Sequence, residues 1–324
     1  MIKVSIIALC YNHGKFLEEA LKPLASLPPS VEVLVADDAS SDQSRKILNQ
    51  WEVAHPDWKF FYNEENLGNC RTFNKLLQQA RGNWILDYAT DDILIPDQLM
   101  NWLNFAESSG EVGFCYADAF LFTRKGARMQ KFSAGRGESE FPEGRILTAL
   151  FSSGLICPPA VLFSRKALLQ IGGYNENLSY EDLDCWLRLA RDFPVCRFAQ
   201  PVVMYRQHAD SMSARIYQGR NREHLQSTLK ILEAVLNWPE LKPAPKSLIS
   251  FMRYHLRLCF FLQLPEEAEK LSGLLESAGF SRKPERWMKF LSGSFPVITR
   301  MYLRVREARQ LWRELQSRTN PVDF

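Results

Sequence analysis

The feature that most constrains this chain is a regular alternation in its first 95 residues. Short apolar runs suited to buried strands take turns with segments of helical spacing. Residues 4–9 (Val-Ser-Ile-Ile-Ala-Leu), 31–36, 59–62 and 84–89 read as strands. Residues 12–27 read as a helix, with Phe16, Leu17, Ala20, Leu21 and Leu24 at 3–4 spacing and Pro28-Pro29 ending it. A second helix carries Ile47, Leu48 and Trp51, and a third, over 72–80, is opened by Asn66-Leu67-Gly68. Strand–helix alternation with short loops predicts a mostly parallel α/β sheet. Ligands of such sheets lie off the carboxyl ends of the strands. Two of the strands end in paired acids, Asp37-Asp38 and Asp91-Asp92.

The rest of the chain is patterned differently. Strands are expected near 112–122, 160–163 and 201–206, with a helix after Tyr180. Helices are expected over 223–237, 247–264, 266–277 and about 297–317, which places a domain boundary near residue 215, between 1–215 and 216–324. Hydrophobic residues make up 46% and charged residues 24%, which excludes disordered and fibrous classes. No run approaches the roughly 18 apolar residues of a membrane span. The apolar start passes directly into Tyr11-Asn12-His13 and reads as a first strand, not as a signal peptide. Seven scattered cysteines point to reduced thiols and a cytoplasmic location, with no zinc ribbon or disulfide framework. Residues 281–324 hold ten Lys or Arg against four Asp or Glu, so the remainder is mildly acidic. That distribution argues against a nucleic-acid binder, which spreads its basic footprint over the main domain. In the last helix Ile298, Met301, Tyr302, Val305, Ala308, Trp312 and Leu315 form one apolar stripe flanked by Arg300, Arg304, Arg306 and Arg313. Such a helix suits either a peripheral membrane anchor or docking on the catalytic body.

Several residues can carry chemistry. Asp91-Asp92 could hold a hard divalent ion together with substrate phosphate oxygens, or simply begin the next helix, where acids are favoured. Asp37-Asp38 stands where nucleotide-binding sheets grip a ribose or a base edge. The Gly-x-Gly-x-x-Gly of a dinucleotide fold is missing after the first strand, as are a Walker A motif and a nucleotidyltransferase glycine loop. A bound nucleotide must therefore be held by side chains and a metal. Tyr11 can stack on its base, or pack at the strand end. Ser179-Tyr180-Glu181-Asp182 resembles a capping signature that would hold ionised acids in a first helical turn. An acid fixed there can act as a general base or serve only as a cap. His208, in a polar loop, becomes a metal or diphosphate contact if the fold brings it to Asp91 and Asp92.

Taken together, these segments resemble the family 2 glycosyltransferases of the GT-A fold. The resemblance rests on residues 4–12, 33–42, Asn66-Leu67-Gly68 with Asn74, and 80–84 leading into Thr90-Asp91-Asp92. It continues through Phe163-Ser164-Arg165, Gly172-Gly173-Tyr174-Asn175-Glu176, Glu181-Asp182 and Tyr205-Arg206-Gln207-His208, and covers residues 2–213. It implies a GT-A domain with a helical C-terminal extension, and an inverting, metal-dependent transfer from a nucleotide-diphosphate sugar to a glycan or lipid-linked acceptor. The product implied is surface polysaccharide. By the same resemblance, Tyr11 stacks on the base and Asp38 binds base or ribose. Asp91 and Asp92 hold ribose and the Mg²⁺ or Mn²⁺ ion, His208 lies near the ion and diphosphate, and Asp182 is the general base. The family usually has a carboxylate at position 89, and here it is Ala89. Asp87 cannot replace it, because four strand residues separate it from Asp91 by roughly 13 Å. The resemblance therefore implies weak metal binding without the donor. A nucleotidyltransferase and a non-catalytic sugar-nucleotide binder are the alternatives.

Overall fold

The computed structural model describes residues 1–123, 129–152, 154–208 and 222–280. Among these, nine strands form one sheet: β1 (Val4–Cys10), β2 (Val31–Asp37), β3 (Lys59–Tyr62), β4 (Trp84–Ala89), β5 (Ile93–Leu94), β6 (Phe114–Phe122), β7 (Gln130–Lys131), β8 (Val161–Ser164) and β9 (Val195–Arg206). The order is β3-β2-β1-β4-β8-β6-β9-β5, with β7 paired to β6. The first four strands of that order are parallel, β8 runs antiparallel to β4 and β6, and β6 and β9 are again parallel. This is the GT-A arrangement, a mixed sheet flanked by helices.

β1 alternates between two cores. Ile7 packs with Phe73, Leu76 and Leu77, whereas Val4, Ile6, Ala8 and Cys10 pack with Leu17, Leu48 and Trp102. Burial on both faces explains why the run is continuously apolar. The flanking helices are α1 (Leu17–Leu21), α2 (Ser44–Ala54), α3 (Asn69–Leu77), α4 (Pro96–Ser108), α5 (Arg165–Gln170) and α6 (Asp182–Asp192). Three more follow, α7 (Arg222–Val235), α8 (Lys246–Phe261) and α9 (Pro265–Ser277). Leu225, Leu232, Met252, Leu256 and Leu271 of these last helices share one apolar cluster with Phe114, Leu187 and Leu189. The expected boundary at 215 and the basic helix from 297 lie outside the described residues.

Two expectations need correction. The helix expected from Asn12 begins only at Leu17, because Asn12 adopts a left-handed φ of 58° and the chain first makes a turn. From Lys22 to Ser26 it tightens to a 3₁₀ helix with Pro23 in its first turn. The strand expected from 201 begins at Val195. Pro201, with no N–H to give the ladder, sits at a register shift opposite Asp118.

Candidate active site

Register sets the site. Cys10 pairs with Asp37, and Leu9 with both Ala36 and Ala89, so β1, β2 and β4 end at one level. The residues that follow, 11–13, 38–42 and 90–92, therefore emerge along a single sheet edge. Asn12 joins the first two groups: its Oδ1 accepts from Ser41 N (2.8 Å), and its own N–H donates to Ser40 Oγ (2.9 Å). Ala39 is also left-handed, at φ 59°, a conformation that costs a non-glycine residue about 1 kcal/mol. The turn thus holds Tyr11, 47% exposed as a residue, at that edge.

Asp38 is buried, and its carboxylate is occupied by protein donors. Oδ1 accepts from Asn63 Nδ2 (2.8 Å), Leu67 N (2.9 Å) and Thr72 Oγ1 (3.0 Å), and Oδ2 accepts from Gly68 N (2.8 Å). A carboxylate offers about two acceptor positions on each oxygen, so three donors crowd Oδ1 while Oδ2, with one, keeps a position open. Asp38 anchors the 63–72 loop beside the strand ends.

β9 returns along β5 and delivers Arg206 and His208 to the acidic turn after β4. Arg206 N donates to Asp92 Oδ1 (2.8 Å), and Arg206 Nε to Asp91 O (2.7 Å). Asp92 is buried, and desolvation together with the adjacent Asp91 charge pushes its carboxyl well above the usual range. His208 Nε2 lies 3.0 Å from Asp91 Oδ2. On the other side, His13 Nδ1 lies 2.9 Å from Thr90 Oγ1, and His13 Nε2 lies 3.9 Å from the same Asp91 oxygen. Burial lowers the His13 pKa despite the pull of Asp91. Asp91, Asp92 and His208 are thus brought together, and His13 joins them. Its signal in the sequence was only its place three residues past a strand end. Among the described residues, no three His, Cys, Asp or Glu side chains close around a point that could hold an ion unaided.

Asp182 opens α6, and its Oδ1 accepts from Leu183 N (2.6 Å). It lines a cavity of about 200 Å³ whose other walls include Leu150, Leu155, Ile156, Trp186 and Phe251. Burial raises its pKa, while the free N–H groups of the helix start favour the ionised form. Glu181 beside it is also raised, by desolvation first and then by the charges of Asp182 and Asp87. Asp87 accepts from Tyr174 Oη (2.7 Å), and its pKa is pushed up by burial to about 6. Asn74 clamps Tyr174 on both sides, accepting from its N–H and donating to its carbonyl, each at 2.9 Å. Ile156 and Pro158 line the cavity, and the Cys157 thiol between them is raised first by burial and then by the Asp92 charge.

Ser179 does not cap α6. Its N–H and hydroxyl instead reach Ser227 Oγ on α7, at 2.9 and 3.1 Å. Tyr180 Oη lies 2.9 Å from Thr228 Oγ1 and its ring stacks near His224. The helical C-terminal region therefore holds the loop that presents Asp182, and Phe251 of α8 supplies part of the cavity wall. Neither contribution has a local sequence signal.

The chain belongs to glycosyl transferase family 2, whose pattern matches residues 5–172, and it is a glycosyltransferase. It is 28% identical over 189 residues to the putative teichuronic acid biosynthesis glycosyltransferase TuaG of Bacillus subtilis, covering 58% of this chain and 72% of that one. It is 24% identical over 265 residues to the GalNAc(5)-diNAcBac-PP-undecaprenol beta-1,3-glucosyltransferase of Campylobacter jejuni, covering 78% and 81%. Among solved structures, S. aureus TarS 1-349 in complex with UDP-GlcNAc superposes with a TM-score of 0.65, at 19% identity and over 86% of this chain and 82% of that one. The mannosyltransferase PcManGT from Pyrobaculum calidifontis, in complex with GDP-Man and Mn²⁺, does so with 0.57, at 16% identity over 93% and 82%. These likenesses carry the fold. Among the described residues, no helix is long and apolar enough to cross a membrane.

Proposed function

We propose that the chain is an inverting, metal-dependent glycosyltransferase that moves a sugar from a nucleoside-diphosphate donor to an acceptor hydroxyl in cell-surface glycan assembly. The observation that carries the reading is the pairing of two environments. A carboxylate of raised pKa, Asp182, stands in an apolar cavity. An acidic and imidazole cluster around Asp91 stands at the strand ends. A partly desolvated carboxylate is a stronger base than one in water, and so is suited to take a proton from a hydroxyl at neutral pH.

In this reading Tyr11 stacks on the base, and Asp38 shapes the nucleoside pocket through the loop that it anchors. Asp91, Asp92 and His208 face the ribose, the diphosphate and the ion. The carboxylate oxygens there, with phosphate completing the shell, fit Mn²⁺ or Mg²⁺, in keeping with the lack of a closed cluster among the described residues. When bound, the ion neutralises charge building on the departing diphosphate. Asp182 accepts the acceptor's proton as the hydroxyl oxygen bonds to the anomeric carbon and the bond to the nucleoside diphosphate breaks, inverting that carbon. The acceptor enters through the cavity, whose apolar walls suit the carbon face of a sugar or a lipid-linked glycan. The seven cysteines are free and buried, in keeping with a cytoplasmic site of action. The basic tail supplies peripheral membrane contact.

The test is Asp182→Asn. Transfer is expected to fall by about 10²–10⁴-fold, while nucleotide affinity measured by calorimetry stays within about twofold of wild type. Full transfer activity in that variant overturns the base assignment. Intact nucleotide binding with no transfer or donor hydrolysis by the wild type favours a non-catalytic binder.

A further inference from the structure

His13 has a fixed tautomer, and the reason lies in Thr90. The Thr90 hydroxyl has one proton to give. Its Oγ1 lies 2.9 Å from Leu9 O, a carbonyl that can only accept, so the proton goes there. Toward His13, at 2.9 Å, Oγ1 can therefore only accept. Nδ1 therefore carries a hydrogen, which leaves Nε2 as the ring nitrogen that can give a lone pair to a metal ion. Nε2 lies 3.9 Å from Asp91 Oδ2, beyond hydrogen-bonding distance. The two atoms, with side chains only 22% and 16% exposed, thus face each other across a short gap. Donors that each approach one divalent ion to about 2.0–2.2 Å can stand up to about 4.4 Å apart. The gap accommodates an ion. His208 differs, because 3.0 Å between its Nε2 and Asp91 Oδ2 requires a hydrogen there. His208 donates to Asp91 and orients it.

We propose that His13 Nε2 is a donor atom to the divalent ion of the sugar-nucleotide complex, in place of the carboxylate that Ala89 lacks, and that it biases the site toward a first-row transition ion over Mg²⁺. The inference rests on the transferase reading above. Ligating imidazoles characteristically have the other ring nitrogen fixed by a hydrogen bond, as Thr90 and Leu9 fix this one. Imidazole nitrogen suits first-row transition ions, whereas Mg²⁺ takes oxygen ligands.

The experiment uses the full chain with Mn²⁺ and UDP or GDP, read by pulsed electron paramagnetic resonance and calorimetry. The wild type is expected to show a directly bound histidine nitrogen that changes with ¹⁵N-histidine labelling and vanishes in His13→Gln. Affinity for the Mn²⁺–nucleotide is expected to fall at least tenfold in His13→Gln, with affinity for the Mg²⁺–nucleotide changing less than twofold. Thr90→Val keeps the ring but releases its tautomer, and is expected to weaken Mn²⁺–nucleotide binding in the same direction. An unchanged nitrogen signal in His13→Gln, or none in a wild type that binds Mn²⁺–nucleotide, overturns the inference and leaves the donor reading standing. Failure of the wild type to bind any nucleoside diphosphate overturns both.

Discussion

Glu181 and Asp182 are neighbours that hold their protons unequally. Burial raises both, and the Asp182 charge raises Glu181 further, to about 8, so Glu181 keeps its proton while Asp182 ionises. The sign is then fixed. With Asp182 as the proposed base, which works only when ionised, kcat/KM for transfer is expected to be lost as pH falls through its raised pKa, at a higher pH than an ordinary aspartate near 3.9 would give. Glu181→Gln replaces a carboxyl that already holds its proton where Asp182 ionises. Its acid limb is expected to stay in place, with the plateau rate reduced less than in Asp182→Asn. A pH–rate profile from about 4.5 to 8 checks this, and a limb that moves down by on the order of one pH unit would show that Glu181 is charged there. Asp87 also faces Glu181 and remains in both proteins. Asp91, Asp92 and Asp182 could be singled out as candidates in the sequence by their places at a strand end and at a helix start, although helix-starting and capping uses stood beside the chemical ones. Glu181's neighbours could not, since Asp87 and Tyr174 meet only across 87 residues of chain.

At the scale of elements, the loop before α6 is held from outside the sheet. Thr228 Oγ1 donates to His224 O at 3.0 Å, so toward Tyr180 it accepts. Thr228→Val keeps the shape and removes that acceptor, leaving a buried phenol hydroxyl unpaired at about 1–3 kcal/mol. The expected result is a melting temperature lower by a few degrees and a reduced kcat, with nucleotide affinity unchanged, because the nucleotide side rests on β1, β2 and β4. Equal kcat would show that Tyr180 does not transmit position to Asp182. The parallel strands and their order of ends were readable from apolar runs alone, because burial on both faces leaves so plain a pattern. The start of α1 was not. Phe16 keeps the helical period, but its backbone belongs to the turn that Asn12 sets, and its ring packs against His208 at 4.9 Å. Ser179 misled for a related reason: the capping pattern was present, but Ser227 offered its hydroxyl a tertiary partner.

For the whole molecule, charge is divided while packing is not. The helices after residue 222 share an apolar cluster with the sheet, and Phe251 of α8 lines the cavity at Asp182. Residues 281–324, by contrast, carry an excess of six positive charges over a mildly acidic remainder. An acidic body is repelled by an anionic bilayer and a basic tail is drawn to it, so the two together would orient the molecule at the surface. Each basic residue near such a surface contributes about 1 kcal/mol, fading over a Debye length of about 8 Å at physiological salt. The full chain is therefore expected to sediment with phosphatidylglycerol-containing vesicles and not with phosphatidylcholine vesicles, and to be released as salt rises. Replacing Arg300, Arg304, Arg306, Arg309 and Arg313 by Gln is expected to weaken vesicle binding at least tenfold, with transfer to a soluble acceptor unchanged. Retention on both vesicle types would assign the attraction to the apolar stripe instead. Equal partitioning of the wild type and the five-fold variant would leave the tail with no electrostatic role at a membrane, and would move the search for acceptor delivery back to the apolar walls around Asp182.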